Sequence, residues 1–272
     1  MTASEFNRTS MRVEEHYDEA LKSFAENNIV GCFLQGSQNY GLEYEGSDVD
    51  TKLILTPSFK DIALNRKAVS TTHVRANNEH TDWKDIRLYM ETFRKQNLNF
   101  LEILFTNFFA INCLYAVHWG RLIEAREQIA RMNPYRAVRS MYGIAGEKYH
   151  AMCHPYPSKM DIIEKHGYDG KQVSHLLRVE DYLERYIAGE SYEACLHPTP
   201  SKVDEIMAYK LQQIPLEVAQ LRAEVVYEHC KQMKDAYCEG HEEVENEEMR
   251  ELLEDVQYQI MKLSVAHEIT GG

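Results

Sequence analysis

Apolar positions in the first 60 residues switch from helical spacing to strand-like runs. Residues 9–27 repeat apolar side chains every three or four positions, which predicts a helix. The run IVGCFLQ at 29–35 is short and rich in apolar residues, which is typical of a buried strand, and DVDTKLILT at 48–56 predicts a second one. Three glycines in the intervening GSQNYGLEYEGS mark turns.

The next 60 residues predict shorter elements. We expect a short helix near 58–65, an edge strand near 70–76, a hairpin turn at ANNEH and a third strand at 80–85. Helical spacing resumes from Ile86 to about Arg94, is interrupted by QNLN, and continues through LEILF.

From about residue 121 the pattern is helical almost throughout, with prolines at or near the breaks. The candidate helices are 120–131, 135–153, 158–166, 170–188, 200–213, 215–238 and 245–268. The predicted fold class is α+β: a small mixed β-sheet with flanking helices, followed by an all-helical C-terminal half. We predict domains at 1–115 and 116–272.

Composition fits a soluble, cytoplasmic protein. Hydrophobic residues make up 44% of the 272 positions and charged residues 27%, as in ordinary globular chains. No apolar run reaches the roughly 20 residues of a membrane-spanning helix, and MTASEFNRTS lacks the apolar core of a signal peptide. Six scattered cysteines without a CxxC pair predict reduced thiols, and no His/Cys group has the spacing of structural zinc.

Charge is distributed unevenly. The formal net charge is −13, and residues 131–178 alone carry an excess of basic side chains, 8 Lys+Arg against 4 Asp+Glu. Residues 179–272 carry 8 against 21. A protein that coats long nucleic acid normally shows a broad basic surface. This balance favours a small anionic substrate or one end of a nucleic acid.

Two carboxylates, Asp48 and Asp50, stand two positions apart at the start of the second predicted strand, in the segment Gly46-Ser47-Asp48-Val49-Asp50. Alternation along a strand places both on one face. Paired carboxylates repel each other, and a divalent cation between them removes that cost. Mg²⁺ commonly binds one or two carboxylates together with substrate phosphates.

Gly36 and Ser37 follow the first predicted strand directly. A glycine there lets the backbone approach a ligand closely, and the serine hydroxyl adds a hydrogen bond. Each feature alone is common. The order is more specific: buried strand, Gly-Ser, nine residues, Ser-Asp-x-Asp, buried strand.

In that order the chain resembles the DNA polymerase β-type nucleotidyltransferase superfamily. Further segments resemble a group of predicted nucleotidyltransferases of RNA repair in bacteria and phages. They are Tyr40-Gly41, Asn97-Leu98-Asn99 with Leu101-Glu102-Ile103-Leu104, and Gly167-Tyr168-Asp169-Gly170-Lys171 leading to His175-Leu176-Leu177-Arg178. The resemblance covers about residues 30–190. Asn97-Leu98-Asn99 departs from the Asn-Pro-Asn of that group.

The resemblance implies that Asp48 and Asp50 bind Mg²⁺ or Mn²⁺, that Gly36 and Ser37 contact the phosphates of an NTP, and that a neighbouring strand carries a third carboxylate. Asp82 and Asp85 compete for that role. We favour Asp85, with Asp82 as the alternative. Asp85 would also serve well as the N-cap of the following helix.

Lys171, His175 and Arg178 fall at i, i+4 and i+7 of a predicted helix and share one face. We expect this face to bind the triphosphate or a polynucleotide 3′ end. The alternative is a solvated basic stripe.

The predicted activity is metal-dependent transfer of a nucleoside monophosphate from an NTP to an acceptor hydroxyl, with release of pyrophosphate. The resemblance implies an RNA or tRNA 3′ end as acceptor. The acidic balance also suits transfer to a small molecule or a protein, and a non-catalytic nucleotide-binding module is a third alternative. The sequence leaves the base preference and the oligomeric state open.

Overall fold

The computed structural model describes residues 3–44 and 47–271. Gly46 of the aspartate motif therefore lies outside the described residues. The chain forms two compact units. One comprises Met1–Met132 with Glu245–Gly272, and the other comprises Asn133–Val244. The prediction of two functional domains, at 1–115 and 116–272, stays a prediction.

The first unit is built on a mixed sheet of five strands, in the order β3-β4-β2-β1-β5. β2 runs antiparallel to β1 and parallel to β4, and β4 runs antiparallel to β3. The strands are β1 (Ile29–Gln35), β2 (Asp50–Leu55), β3 (Ser70–Val74), β4 (His80–Asp85) and β5 (Phe109–Ile111).

Helices of this unit flank the sheet. They are α1 (Ala3–Ala20), α2 (Phe59–Ala63), α3 (Ile86–Arg94), α4 (Leu98–Leu101), α5 (Ala116–Glu124), α6 (Arg126–Ala130) and α13 (Glu247–Thr270). α1 packs on one face over a core that includes Val13, Leu34, Leu53 and Leu55. On the opposite face Phe33 packs against Trp119 of α5, with ring centroids 4.8 Å apart.

The second unit is helical in its described residues. Its helices are α7 (Pro134–Ala151), α8 (Met160–His166), α9 (Gly170–Ile187), α10 (Tyr192–Leu196), α11 (Pro200–Lys210) and α12 (Leu216–Gly240). α9 is central and packs against α7, α10, α11 and α12. The structure thus confirms the predicted fold class. No described helix is both long enough and apolar enough to cross a membrane.

Several predicted bounds were wrong. The first helix covers Ala3–Ala20 instead of 9–27. β2 begins at Asp50 instead of residue 48, because its antiparallel partner β1 ends at Gln35, opposite Asp50. Asp48 therefore precedes the strand. The sequence pattern also missed β5 and α10, which are only three and five residues long.

Candidate active site

The candidate site lies at the edge of the sheet where β1 ends and β2 and β4 begin. Gln35, the last residue of β1, is opposite Asp50, the first residue of β2. β2 and β4 run in the same direction, with Thr51 beside Thr81 and Lys52 beside Asp82. This pairing brings the start of β4 next to the aspartate motif.

Gly36 changes the chain direction as soon as β1 ends. Its φ of 102° and ψ of −160° lie in a region that L-residues with a side chain rarely adopt. A Cβ at this position would have 3.9 Å to the nearest atom, so backbone conformation, and not crowding, requires the glycine. A short 3₁₀ turn, Ser37–Asn39, follows directly.

Side chains of this turn tie it to the aspartate motif and to β1. Gln38 Nε2 donates to the carbonyl of Asp48 over 2.8 Å. Asn39 Nδ2 donates to the carbonyl of Leu34 over 3.0 Å, and its Oδ1 accepts from the hydroxyl of Thr106 at 2.7 Å. Gln38 and Asn39 stand inside the sequence motif, but the sequence alone assigned them no role. Their contacts keep Gly36 and Ser37 beside Asp48.

The two aspartates of the motif differ in their surroundings. Asp50 Oδ1 accepts from the backbone N–H of His80 over 2.9 Å, which joins β2 to β4, and the Asp50 side chain is 29% exposed. Asp48 is exposed. Val49 between them is buried in the core on the α1 side. Both carboxylates thus flank a buried anchor and remain accessible to a ligand.

Asp82 lies on the same face of the sheet as Asp50. It is the register partner of Lys52, which is two residues from Asp50, and strand side chains repeat their orientation every second residue. Its side chain is 32% exposed, and Oδ1 accepts from the hydroxyl of Thr72 at 2.7 Å. Asp82 therefore shares both the face and the partial exposure of Asp50.

The structure places Asp85, our sequence-based preference, elsewhere. Asp85 is the partner of Leu55 on the opposite, α1-side face, and it is 2% exposed. Its Oδ1 accepts from the backbone N–H of Arg87 at 2.9 Å as the N-cap of α3, and the Arg87 guanidinium lies 2.6 Å from Oδ2. Its carboxylate is thus committed to helix α3, as the N-cap alternative predicts.

Lys52 is a buried cation on the face of Asp50 and Asp82. Its side chain is 3% exposed, with Nζ 3.5 Å from Asp82 Oδ2 and 4.4 Å from the ring centroid of Phe100. Burial lowers the pKa of Lys52, and the carboxylates of Glu102, Asp82 and Asp50 oppose that shift. Lys52 was not among the site residues predicted from the sequence. Its parity with Asp50 on the strand was the available signal.

Carboxylate oxygens are the ligands that Mg²⁺ prefers, so Asp48, Asp50 and Asp82 fit a divalent cation in donor type. Within 3–44 and 47–271, however, no three His, Cys, Asp or Glu side chains cluster closely enough to hold an ion. The Lys52 ammonium also offsets part of the charge of Asp82. The donor chemistry fits the metal, while the carboxylates do not form a closed coordination shell in this structure.

The second predicted group lies in the other unit, on α9. Asp169 caps this helix by accepting from the Lys171 N–H over 2.9 Å, and the Lys171 side chain is exposed. Arg178 is 3% exposed, so this face is not the solvated stripe of the alternative interpretation.

Positive charges from three helices act on His175. Burial lowers its pKa well below 6.5, and nearby positive charges lower it further. These charges belong to Arg178, Lys148, Lys171 and Lys210. Lys148 on α7 and Lys210 on α11 were not part of the group predicted from the sequence. That Lys171, His175 and Arg178 bind the triphosphate or a polynucleotide 3′ end stays a prediction.

Comparisons with known proteins give little further guidance. No family model matches the chain, and no curated protein matches it. Among solved structures, the chain is similar to a nucleotidyltransferase-like protein from Exiguobacterium sibiricum 255-15. The TM-score is 0.30 at 9% sequence identity, over 83% of this chain and 74% of that one. These values are too low to establish a family.

Proposed function

We propose that the protein is a nucleotidyltransferase that moves a nucleoside monophosphate from an NTP to an acceptor hydroxyl. One observation carries the proposal: the Gly36–Ser37 turn is hydrogen-bonded to the aspartate motif, at a sheet edge where Asp50 and Asp82 share a face. In this arrangement the backbone at Gly36, which a ligand can approach closely, lies next to accessible carboxylates. Binding of a metal-bound triphosphate requires both features.

We assign the third carboxylate to Asp82 and not to Asp85. Asp48, Asp50 and Asp82 would hold Mg²⁺ or Mn²⁺, which when bound lowers the pKa of an attacking hydroxyl and offsets charge on the leaving phosphates. Gly36 lets the turn approach the triphosphate, and the Ser37 hydroxyl donates a hydrogen bond to it. Lys52 would hold the Asp82 carboxylate in place through their ion pair.

We place the acceptor with the helical unit. The four cations around His175 provide a positive environment for a phosphate-containing acceptor, and an RNA 3′ end fits this chemistry. The acidic remainder of the chain agrees with contacts limited to an end instead of a long duplex.

The test is a transfer assay with the purified full chain. Each labelled NTP is incubated with Mg²⁺ or Mn²⁺ and a pool of RNA, and products are resolved by size. We expect label on RNA 3′ ends with the wild type and none with Asp50→Asn. Asp18→Asn, an exposed carboxylate on α1, is the matched control and should retain wild-type activity. Normal transfer by a double Asp48→Asn, Asp50→Asn variant would exclude the proposal.

A further inference from the structure

A buried polar network lies on the α1 side of the sheet, behind the aspartate motif. Its centre is His16 of α1, whose side chain is fully buried, and Glu79, which precedes β4 and is 7% exposed. His16 Nε2 lies 2.9 Å from Glu79 Oε2. Burying polar groups costs free energy unless they are hydrogen-bonded, and a buried network whose members are hydrogen-bonded holds them in fixed positions.

The histidine connects α1 to the two strands of the candidate site. His16 Nδ1 lies 2.8 Å from the hydroxyl of Thr51 on β2 and 3.1 Å from that of Thr81 on β4. The Thr51 hydroxyl also donates to that of Thr81 over 3.1 Å. A neutral imidazole with its proton on Nε2 satisfies all of these groups, since it donates to Glu79 and accepts from a threonine.

The glutamate reaches the aspartate motif itself. Glu79 Oε1 accepts from the backbone N–H of Val49 over 3.4 Å, while Oε2 accepts from Arg12 and His16. Burial raises the pKa of Glu79, but hydrogen bonds from Arg12 and His16 outweigh it and bring the pKa to about 2. The carboxylate is therefore ionised at neutral pH, so both of its oxygens accept hydrogen bonds, Oε1 from the Val49 N–H.

Val49 and Thr51 are the neighbours of Asp50 along the chain, and Val49 separates Asp48 from Asp50. The network thus holds alternate residues of the motif from the side opposite the catalytic face. We propose that Glu79 and His16 are positioning residues that fix the Asp48–Asp50 backbone for metal binding. They act through Val49 and Thr51 and do not touch the substrate. This inference rests on the proposed function.

Glu79→Ala removes the acceptor of the Val49 N–H, whereas Glu79→Gln keeps an oxygen in its place. Loss of an outer-shell partner typically costs 10–100-fold in metal affinity. We expect Glu79→Ala to raise the dissociation constant for Mn²⁺, measured by electron paramagnetic resonance of the free ion, about 10-fold or more. We expect kcat to fall more than KM for NTP rises. Glu79→Gln should restore most of the affinity.

A second variant keeps the test decisive if Glu79→Ala does not fold. Thr51→Val preserves the shape of a buried strand residue but removes the hydroxyl that His16 contacts, and it should weaken Mn²⁺ binding several-fold. Thr71→Val makes the same chemical change at an exposed position of β3 and should leave Mn²⁺ binding unchanged.

Amide hydrogen exchange of residues 47–52 separates this proposal from the proposed function. Faster exchange of this segment in Glu79→Ala or Thr51→Val, together with weaker Mn²⁺ binding, supports the positioning role. Unchanged exchange in the folded variants overturns it whatever the activity. Faster exchange with wild-type Mn²⁺ affinity also overturns it. Absence of both Mn²⁺ binding and transfer in the wild type rejects the proposed function, and with it the positioning role.

Discussion

At the residue scale, two aspartates of β4 that are only three positions apart should behave differently. Asp82→Asn should abolish transfer with little loss of stability, because Asp82 is partly exposed on the face of Asp50. Asp85→Asn should retain most activity, because asparagine also caps helices well. Asp85→Ala should lower the free energy of unfolding by about 1 kcal/mol. Initial rates and urea denaturation check both outcomes, and the reverse activity ranking would restore the metal role to Asp85.

The positive φ of Gly36 makes this position sensitive even to alanine, the smallest residue with a side chain. Gly36→Ala should destabilise the protein by about 1–2 kcal/mol, since a side chain disfavours its φ of 102°. Gly120→Ala is the control. Gly120 lies inside α5, and outside the local helix backbone no atom lies within 4 Å of an added Cβ, so the substitution should stabilise by about 0.5–1 kcal/mol. Equal effects in urea denaturation would show that the conformation at Gly36 does not matter.

How far the sequence predicts a site residue depends on whether its role is local. Gly36, Asp48 and Asp50 stand in a contiguous motif that can be recognised without the fold. Lys52 and Glu79 acquire their roles only when β4 pairs in parallel with β2, and no local pattern encodes that pairing. The preference for Asp85 over Asp82 has the same origin. Whether a residue of β4 lies on the same face as Asp50 cannot be known before the register between β2 and β4 is known.

At the element scale, the contact of α1 with β2 and β4 should make stability depend on pH. Burial lowers the pKa of His16 below 6.5, the Glu79 hydrogen bond opposes this shift, and the charges of Arg75 and Arg12 reinforce it. As pH falls below 6.5, the unfolded chain binds a proton at His16 that the folded chain does not. The free energy of unfolding therefore decreases on acidification. Glu79 adds a further loss as pH falls from 4.5 towards about 2.

Urea denaturation at a series of pH values from about 7.5 to about 5 tests the histidine. Both tryptophans, Trp83 and Trp119, belong to the first unit, so their fluorescence reports its unfolding. His16→Gln should be less stable at the upper pH but should lose less stability on acidification. His267→Gln, exposed on α13, should follow the wild-type curve. A wild-type slope in His16→Gln would rule out His16 as the source.

Elements with strong periodicity or a clear cap were predictable. β1 and β4 match the expected ranges residue for residue, and α3 and α9 agree within one residue. The start of α1 could not be predicted, because residues 3–8 contain few apolar side chains. These residues extend a helix whose buried side chains, Val13 and His16, lie further along the chain. Short elements such as β5 depend on pairing with β1, which is a tertiary contact.

At the scale of the whole molecule, the C-terminal helix shows what local patterns omit. α13 was predicted as a helix, yet it packs against α3 and α5 of the first unit. Ser264 lies 2.7 Å from the Thr56 hydroxyl, and Arg121 pairs with Asp255 at 2.6 Å. Amphipathic spacing predicts that a helix buries one face. It does not predict which sheet or helices that face will contact.

Charge over the whole molecule sets the expected dependence of RNA binding on salt. The environment of His175 contains four cations, and His175 itself is neutral at pH 7 because its pKa is well below 6.5. Arg178 is buried, so at most Lys148, Lys171 and Lys210 can contact a single-stranded end directly. With these three contacts, log K should fall with log salt with a slope of about −2, at roughly 0.7 per phosphate contact. Anisotropy of a labelled RNA across a salt series measures this slope.

Lys171→Gln should make the slope shallower by about 0.7, while Lys231→Gln, an exposed control on α12, should not change it. A slope of about −6 or steeper would mean a long nucleic-acid footprint, which a net charge of −13 argues against.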